Sequence, residues 1–185
     1  MQAGSATTVW TIGHSTRSIE NFLALLNAHE IRALADVRKF PGSRRYPQFN
    51  QDNFSKSLAE AGIAYSHFPE LGGRRRPRPD SPNTAWRNEA FRGYADYMMT
   101  ADFQSGMIRL LQLAREERTA VMCAEALWWQ CHRALISDFL KADGVKMIHI
   151  LDLGKTQEHP FTSAARIANG KLSYGTDDLA PRLPL

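Results

Sequence analysis

The sequence predicts an α/β protein: a mainly parallel sheet of about five strands, helices on both faces, and a C-terminal β-hairpin. Three observations predict it. Short apolar, β-prone runs alternate with segments of helical periodicity along residues 9–151, the pattern of repeated strand–helix–strand units. The strand candidates read as buried runs, as a sheet covered on both faces requires. Asn169-Gly170 stands between two short β-prone stretches and is the strongest local hairpin signal.

Each element follows from its residues. Residues 9–13 form a first strand after a polar start. Residues 18–28 form a helix, with Ser18 as cap and Ile19, Phe22, Leu23, Leu25 and Leu26 at helical spacing. Residues 31–37 read as a second strand. Residues 50–61 form an amphipathic helix with Phe54, Leu58 and Ala61 on one face and Gly62 at its end. Residues 63–68 are a third strand. The stretch 71–83 mixes Gly, Arg, Pro and Asp without periodicity and reads as a long loop. Two helical stretches follow, at 89–99 and 103–115, then a fourth strand at 119–124. Cys131 opens a helix that runs to Ala142, with Leu135, Ile136, Phe139 and Leu140 as its apolar face and Gly144 as its stop. Residues 146–151 are the fifth strand. Residues 165–168 and 171–174 form the hairpin, and 180–185 read as a frayed end. One α/β domain over residues 1–160 is expected, with 161–185 as hairpin and tail packed on it.

Composition narrows the class. The chain has 185 residues, 43% of them hydrophobic, enough to bury a core without staples. Two cysteines, Cys123 and Cys131, exclude a disulfide scaffold. No apolar run reaches membrane-spanning length, and the N-terminus shows no secretory pattern. A cytoplasmic protein without a membrane partner is the expectation.

The formal net charge is only +4. Residues 38–92 hold eleven basic and five acidic residues, a surplus of six, so the remainder carries a deficit of two. The chain has 17 arginines against six lysines, and arginine grips phosphate or carboxylate through a planar fork. In open α/β sheets ligands bind beyond the carboxyl ends of the strands. His14, Ser15 and Thr16 follow the first strand there. Asp36, Arg38, Arg44 and Arg45 follow the second, and Gly72, Gly73 and Arg74 the third. Cys123, Glu125, Cys131, His132 and Arg133 follow the fourth. The charge excess thus has a place, one rim of the sheet.

These same residues carry a family resemblance. Thr11-Ile12-Gly13-His14-Ser15, Asp36-Val37-Arg38, Pro47-Gln48-Phe49, Leu71-Gly72-Gly73, and Cys123-Ala124-Glu125 followed by Cys131-His132-Arg133 resemble the bacterial family called domain of unknown function 488. The resemblance runs over residues 9–175. It implies a cytoplasmic α/β fold and supplies no reaction. The link Ala126-Leu127-Trp128-Trp129-Gln130 departs from the family's shorter polar one.

The candidate chemistry follows from residue type and position. His14, Asp36 and Glu125 are candidate acid–base groups. Cys131, at a helix N-terminus, is the candidate nucleophile, since that position lowers a thiol pKa. Ser15, Arg38, Arg44, Arg74, His132 and Arg133 are candidate ligands for an anionic substrate. The bland alternatives are buried Asp–Arg pairs, with Arg133 held by Glu125 or Asp36. Cys123, Cys131, His132 and His14 are possible metal ligands by type. The chain has no two-residue cysteine knuckle, and adjacent Cys131 and His132 are expected to diverge, so neither metal nor cofactor is expected. The remaining histidines, His29, His67, His149 and His159, read as structural or exposed, and at least one of Trp128 and Trp129 as a lid or contact residue. The leading expectation is an enzyme on a phosphate-bearing substrate, a nucleotide or nucleic acid. The alternatives are a non-catalytic nucleic-acid-binding or adaptor module, and a thiol or metal site.

Overall fold

A computed structural model describes residues 7–176. The frayed end at 180–185 and most of the N-terminal stretch fall outside them. The strands are β1 (Thr8–Gly13), β2 (Ala33–Asp36), β3 (Ala64–His67), β4 (Thr119–Cys123), β5 (Lys146–Asp152) and β6 (Lys155–Glu158). They form one sheet in the order β3-β2-β4-β1-β5-β6. The first five are parallel, and β6 turns back antiparallel on β5. β6 adds a strand to the five expected. Its residues Lys155-Thr156-Gln157-Glu158 are polar and mostly exposed, as befits an edge.

Five α-helices cover the sheet: α1 (Ile19–Ala28), α2 (Gln51–Glu60), α3 (Glu89–Tyr97), α4 (Ala101–Glu116) and α5 (Arg133–Ala142). Ser18, Asn88 and Thr100 cap α1, α3 and α4 with side-chain oxygens on free N–H groups of the first turn. Side chains alternate along the strands between two cores. Trp10, Ile12, Leu34, Ala120 and Met122 pack with Phe22, Leu26, Phe54 and Leu58 of α1 and α2. Val9, Ala35, Val121 and Cys123 pack on the other face with Phe103, Met107, Leu135 and Ile136 of α4 and α5.

The hairpin forms as expected from β7 (Arg166–Ala168) and β8 (Lys171–Ser173). Asn169 and Gly170 both take positive φ, the requirement of a type I′ turn. A buried polar chain ties this end of the protein to α5. Asp138 accepts from His159 Nε2 (2.9 Å), from the Thr162 hydroxyl (2.6 Å) and from the Tyr174 hydroxyl (3.0 Å). His159 Nδ1 meets His149 Nε2 at 2.9 Å, and His149 Nδ1 meets the Thr11 hydroxyl at 2.7 Å. Trp128 stacks flat on His149, 4.4 Å between centroids, and is buried, while its neighbour Trp129 is half exposed. His149 and His159 are the structural histidines the sequence suggested.

Candidate active site at the carboxyl edge of the sheet

Strand register assembles the site. Gly13 pairs with Cys123 and Asp36 with Met122, so β1, β2 and β4 end in one row. The chain then leaves β1 toward α1 on one face and leaves β4 toward α5 on the other. A crevice opens between such diverging connections. Gly13 has no room for a side chain there: a Cβ would lie 1.9 Å from the carbonyl oxygen of Glu125. Gly13→Ala is therefore expected to push back the 125–126 loop and cost about 1–3 kcal/mol. A lowered thermal midpoint checks it.

The centre of the site is a sulfur pair beside a buried guanidinium. Arg133 is only 1% exposed. Its Nε donates to Cys131 Sγ at 3.3 Å, and its Nη2 donates to the backbone carbonyl of Glu125. Neither Glu125 nor Asp36 offers it a carboxylate, so in place of the alternative ion pair it meets a sulfur and a carbonyl. Burial opposes charge on Cys131, but the Cys123 thiol, Arg133 and His132 outweigh it and hold Cys131 well below the usual thiol value. Cys123 moves the other way, raised by its hydrogen bond to Cys131 and by burial. α5 adds to the lowering of Cys131, because its start has neither a side-chain cap nor an acidic residue in the first turn.

Cys131 and His132 converge rather than diverge. Cys131 is extended (φ −128°, ψ 148°) and His132 caps α5 in helical geometry (φ −58°, ψ −13°). Cys131 thus precedes the helix instead of opening it. That break in conformation brings Cys131 Sγ and His132 Nδ1 to 3.7 Å.

Asp36 and Arg38 form a closed pair beside this centre. Asp36 is fully buried and Arg38 is 7% exposed. Arg38 Nη2 meets Asp36 Oδ2 at 2.6 Å and Nε donates to Oδ1 at 2.9 Å, while the Tyr65 hydroxyl donates to Oδ2 at 2.8 Å. Arg38 Nη1 donates to the carbonyl of Phe49 (2.9 Å) and faces His14 Nε2 (3.4 Å). Arg38 thus spends its fork on internal partners, and Asp36 orients Arg38 rather than His14 or Arg133. His14 stacks on Phe49 at 4.2 Å, and its Nδ1–H donates to the carbonyl of Ser15 at 2.9 Å. Burial lowers the His14 pKa to about 4, against the pull of that hydrogen bond, so its ring is neutral at physiological pH.

A cleft of about 710 Å³ joins these groups. His14, Ser15, Arg38, Glu125, Cys123, Cys131 and His132 line it, as do Lys39 and Arg74 at its basic rim. Phe40, 68% exposed, and Tyr46, Phe91 and Tyr94 supply aromatic surface. Ser15 and Arg74 both take left-handed backbone conformations without being glycine, a strain that clusters at functional sites. Arg44 and Arg45 are exposed beside the cleft and do not line it. A cavity of about 850 Å³ between α3, α5 and the hairpin has neither cysteine nor histidine in its lining, so the candidate residues gather at the smaller cleft. Sequence reasoning passed over Tyr65, Phe91 and Tyr94. It singled out Gly73 without assigning it a role.

A family model described as Domain of unknown function DUF488 matches residues 18–140. The match takes in Asp36, Arg38, Arg74, Glu125 and the Cys131-His132-Arg133 triplet, and starts after His14 and Ser15. No curated protein and no solved structure matched the chain.

Proposed function

This chain belongs to the family of the domain of unknown function DUF488, and on that premise we propose that it is an enzyme acting on a phosphate-bearing substrate, a nucleotide or nucleic acid. The observation that carries the reading is the convergence of Cys123, Cys131 and His132 at the base of a cleft whose rim is basic and aromatic. Burying such groups together beside a guanidinium costs stability, an arrangement that favours a reaction centre. Lys39 and Arg74 hold the phosphate, since Arg38 and Arg133 are turned inward. Phe40 offers an exposed ring for a base to stack on. Glu125, exposed on the cleft wall, is the acid–base group within reach of solvent. His14, neutral and locked between Ser15, Arg38 and Phe49, positions the floor of the cleft.

The test separates binding from turnover. Lys39→Ala with Arg74→Ala is expected to weaken nucleotide and short single-strand binding about 10–100-fold at low salt, with the fold intact. Glu125→Gln is expected to abolish turnover while leaving binding within a few fold. Calorimetry and a panel of nucleotides and phosphodiesters read both. If the wild-type protein shows no saturable binding to any of them, the reading falls. Binding with no turnover in the wild-type protein points instead to an adaptor module.

A further inference from the structure

We propose that Cys123, Cys131 and His132 form a mononuclear site for a zinc-class divalent ion, with the fourth coordination position open to the cleft. The donor atoms of the three residues lie within 4.8 Å of one another. Two thiolates and an imidazole are the ligands such an ion selects, and a Cys2His set with one open position is a known catalytic arrangement. The tetrahedral edge between a thiolate and an imidazole nitrogen on zinc is about 3.6 Å, from metal–ligand distances of about 2.3 and 2.05 Å. Cys131 Sγ and His132 Nδ1 stand 3.7 Å apart.

The surroundings point the same way. His132 Nε2 lies 3.2 Å from the carbonyl of Val37, so it carries the proton and donates it there. Nδ1 then faces the sulfurs, and an ion entering there releases to solvent any proton on it, leaving the tautomer a ligating histidine needs. Gly73 keeps that nitrogen uncovered, because a Cβ at this position would lie 2.8 Å from it. Arg133 Nε donates to Cys131 Sγ from the protein side, an outer hydrogen bond of the kind that orients a metal-bound thiolate. Arg133 also balances part of the charge of two thiolates without competing as a ligand. All three ligands line the cleft, so the unfilled position faces it. An ion bound there brings a water molecule with a pKa near 7 into the cleft. Ion binding stands on these residues alone, while its role in turnover rests on the function proposed above.

Metal analysis of untagged full-length protein, purified under reductant without chelator, reads the site directly. One zinc per chain is expected. In titration against a chromophoric chelator, Cys131→Ser and His132→Gln are expected to bind zinc at least about 10-fold more weakly than wild type. Gly73→Ala, which leaves every ligand in place, is expected to weaken binding as well, and His149→Gln to leave it unchanged. Cobalt(II) added to the metal-free wild-type protein is expected to give thiolate charge-transfer bands and a tetrahedral ligand-field spectrum, a readout that needs no variant to fold. The proposal is overturned if the wild-type protein neither holds zinc nor shows those bands. It is also overturned if Cys131→Ser and His132→Gln bind as tightly as wild type. Nucleotide turnover in metal-free protein sinks the metal role and leaves the phosphate reading standing. Zinc binding without any phosphate ligand does the reverse.

Discussion

Replacing Asp36 with leucine is expected to remove about 3–5 kcal/mol of folding stability, enough to unfold a marginal domain. The carboxylate is fully buried and accepts from Arg38 through both oxygens and from the Tyr65 hydroxyl. Its loss leaves the Arg38 guanidinium, itself 7% exposed, without a counter-charge. Arg38 holds Phe49 through its carbonyl, and Phe49 carries the His14 ring, so the damage spreads to the cleft floor. Urea titration of the single variants and of Asp36→Leu with Arg38→Met checks the cause. The double variant removes both charges and is expected to recover much of the loss. Equal destabilisation in all three would show that shape, rather than the ion pair, holds this corner.

Acid is expected to destabilise the protein well before its carboxylates titrate. Burial lowers His14 to about 4, and burial together with His159 and Arg133 lowers His149 to about 2. Both histidines take up a proton near 6.5 once unfolded. The folded state thus binds fewer protons than the unfolded state below that pH. The stabilisation is complete above about pH 6.5 and is lost as pH falls through the window toward each folded value. Each group contributes up to about 1.4 kcal/mol per pH unit. Together they are expected to remove roughly 3–4 kcal/mol between about pH 6 and pH 4.5. The urea midpoint followed over that range measures it, and His149→Gln is expected to flatten the slope by about half. A midpoint independent of pH across the window would contradict the burial of both rings.

The layout of the sheet was legible because four of its strands are short apolar runs and the polar edge strand β3 is flanked by the buried Ile63 and Phe68. β6 was not, since an edge strand of Lys155-Thr156-Gln157-Glu158 buries nothing and leaves no hydrophobic trace. The hairpin was legible because Asn169-Gly170 answers a specific backbone demand. At the site, sequence position located the rim but not the direction of each side chain. Arg38 and Arg133 count as two of its cations, yet both turn inward, one to Asp36 and one to Cys131. Composition is blind to that choice, which strand register and one cap residue decide. The meeting of Cys131 with His132 was likewise hidden. Neighbours on a regular helix point apart, and only the extended conformation of Cys131 brings them together.

The place of β1 in the sheet bears on how the protein is made. Trp10 pairs with Ala120 and Thr8 with Lys146, so the strand synthesised first sits between the two parallel strands synthesised last. At 5–20 residues per second, a ribosome takes roughly 7–30 s to deliver the second of those partners. Until then Val9, Trp10 and Ile12 lie on a strand with at least one hydrogen-bonding edge unsatisfied, and with both open until β4 is made. A ribosome stalled short of β5 releases a product with one flank of β1 open to aggregation. The crevice at the carboxyl edge needs β4 and α5, so it too waits until most of the chain has been made.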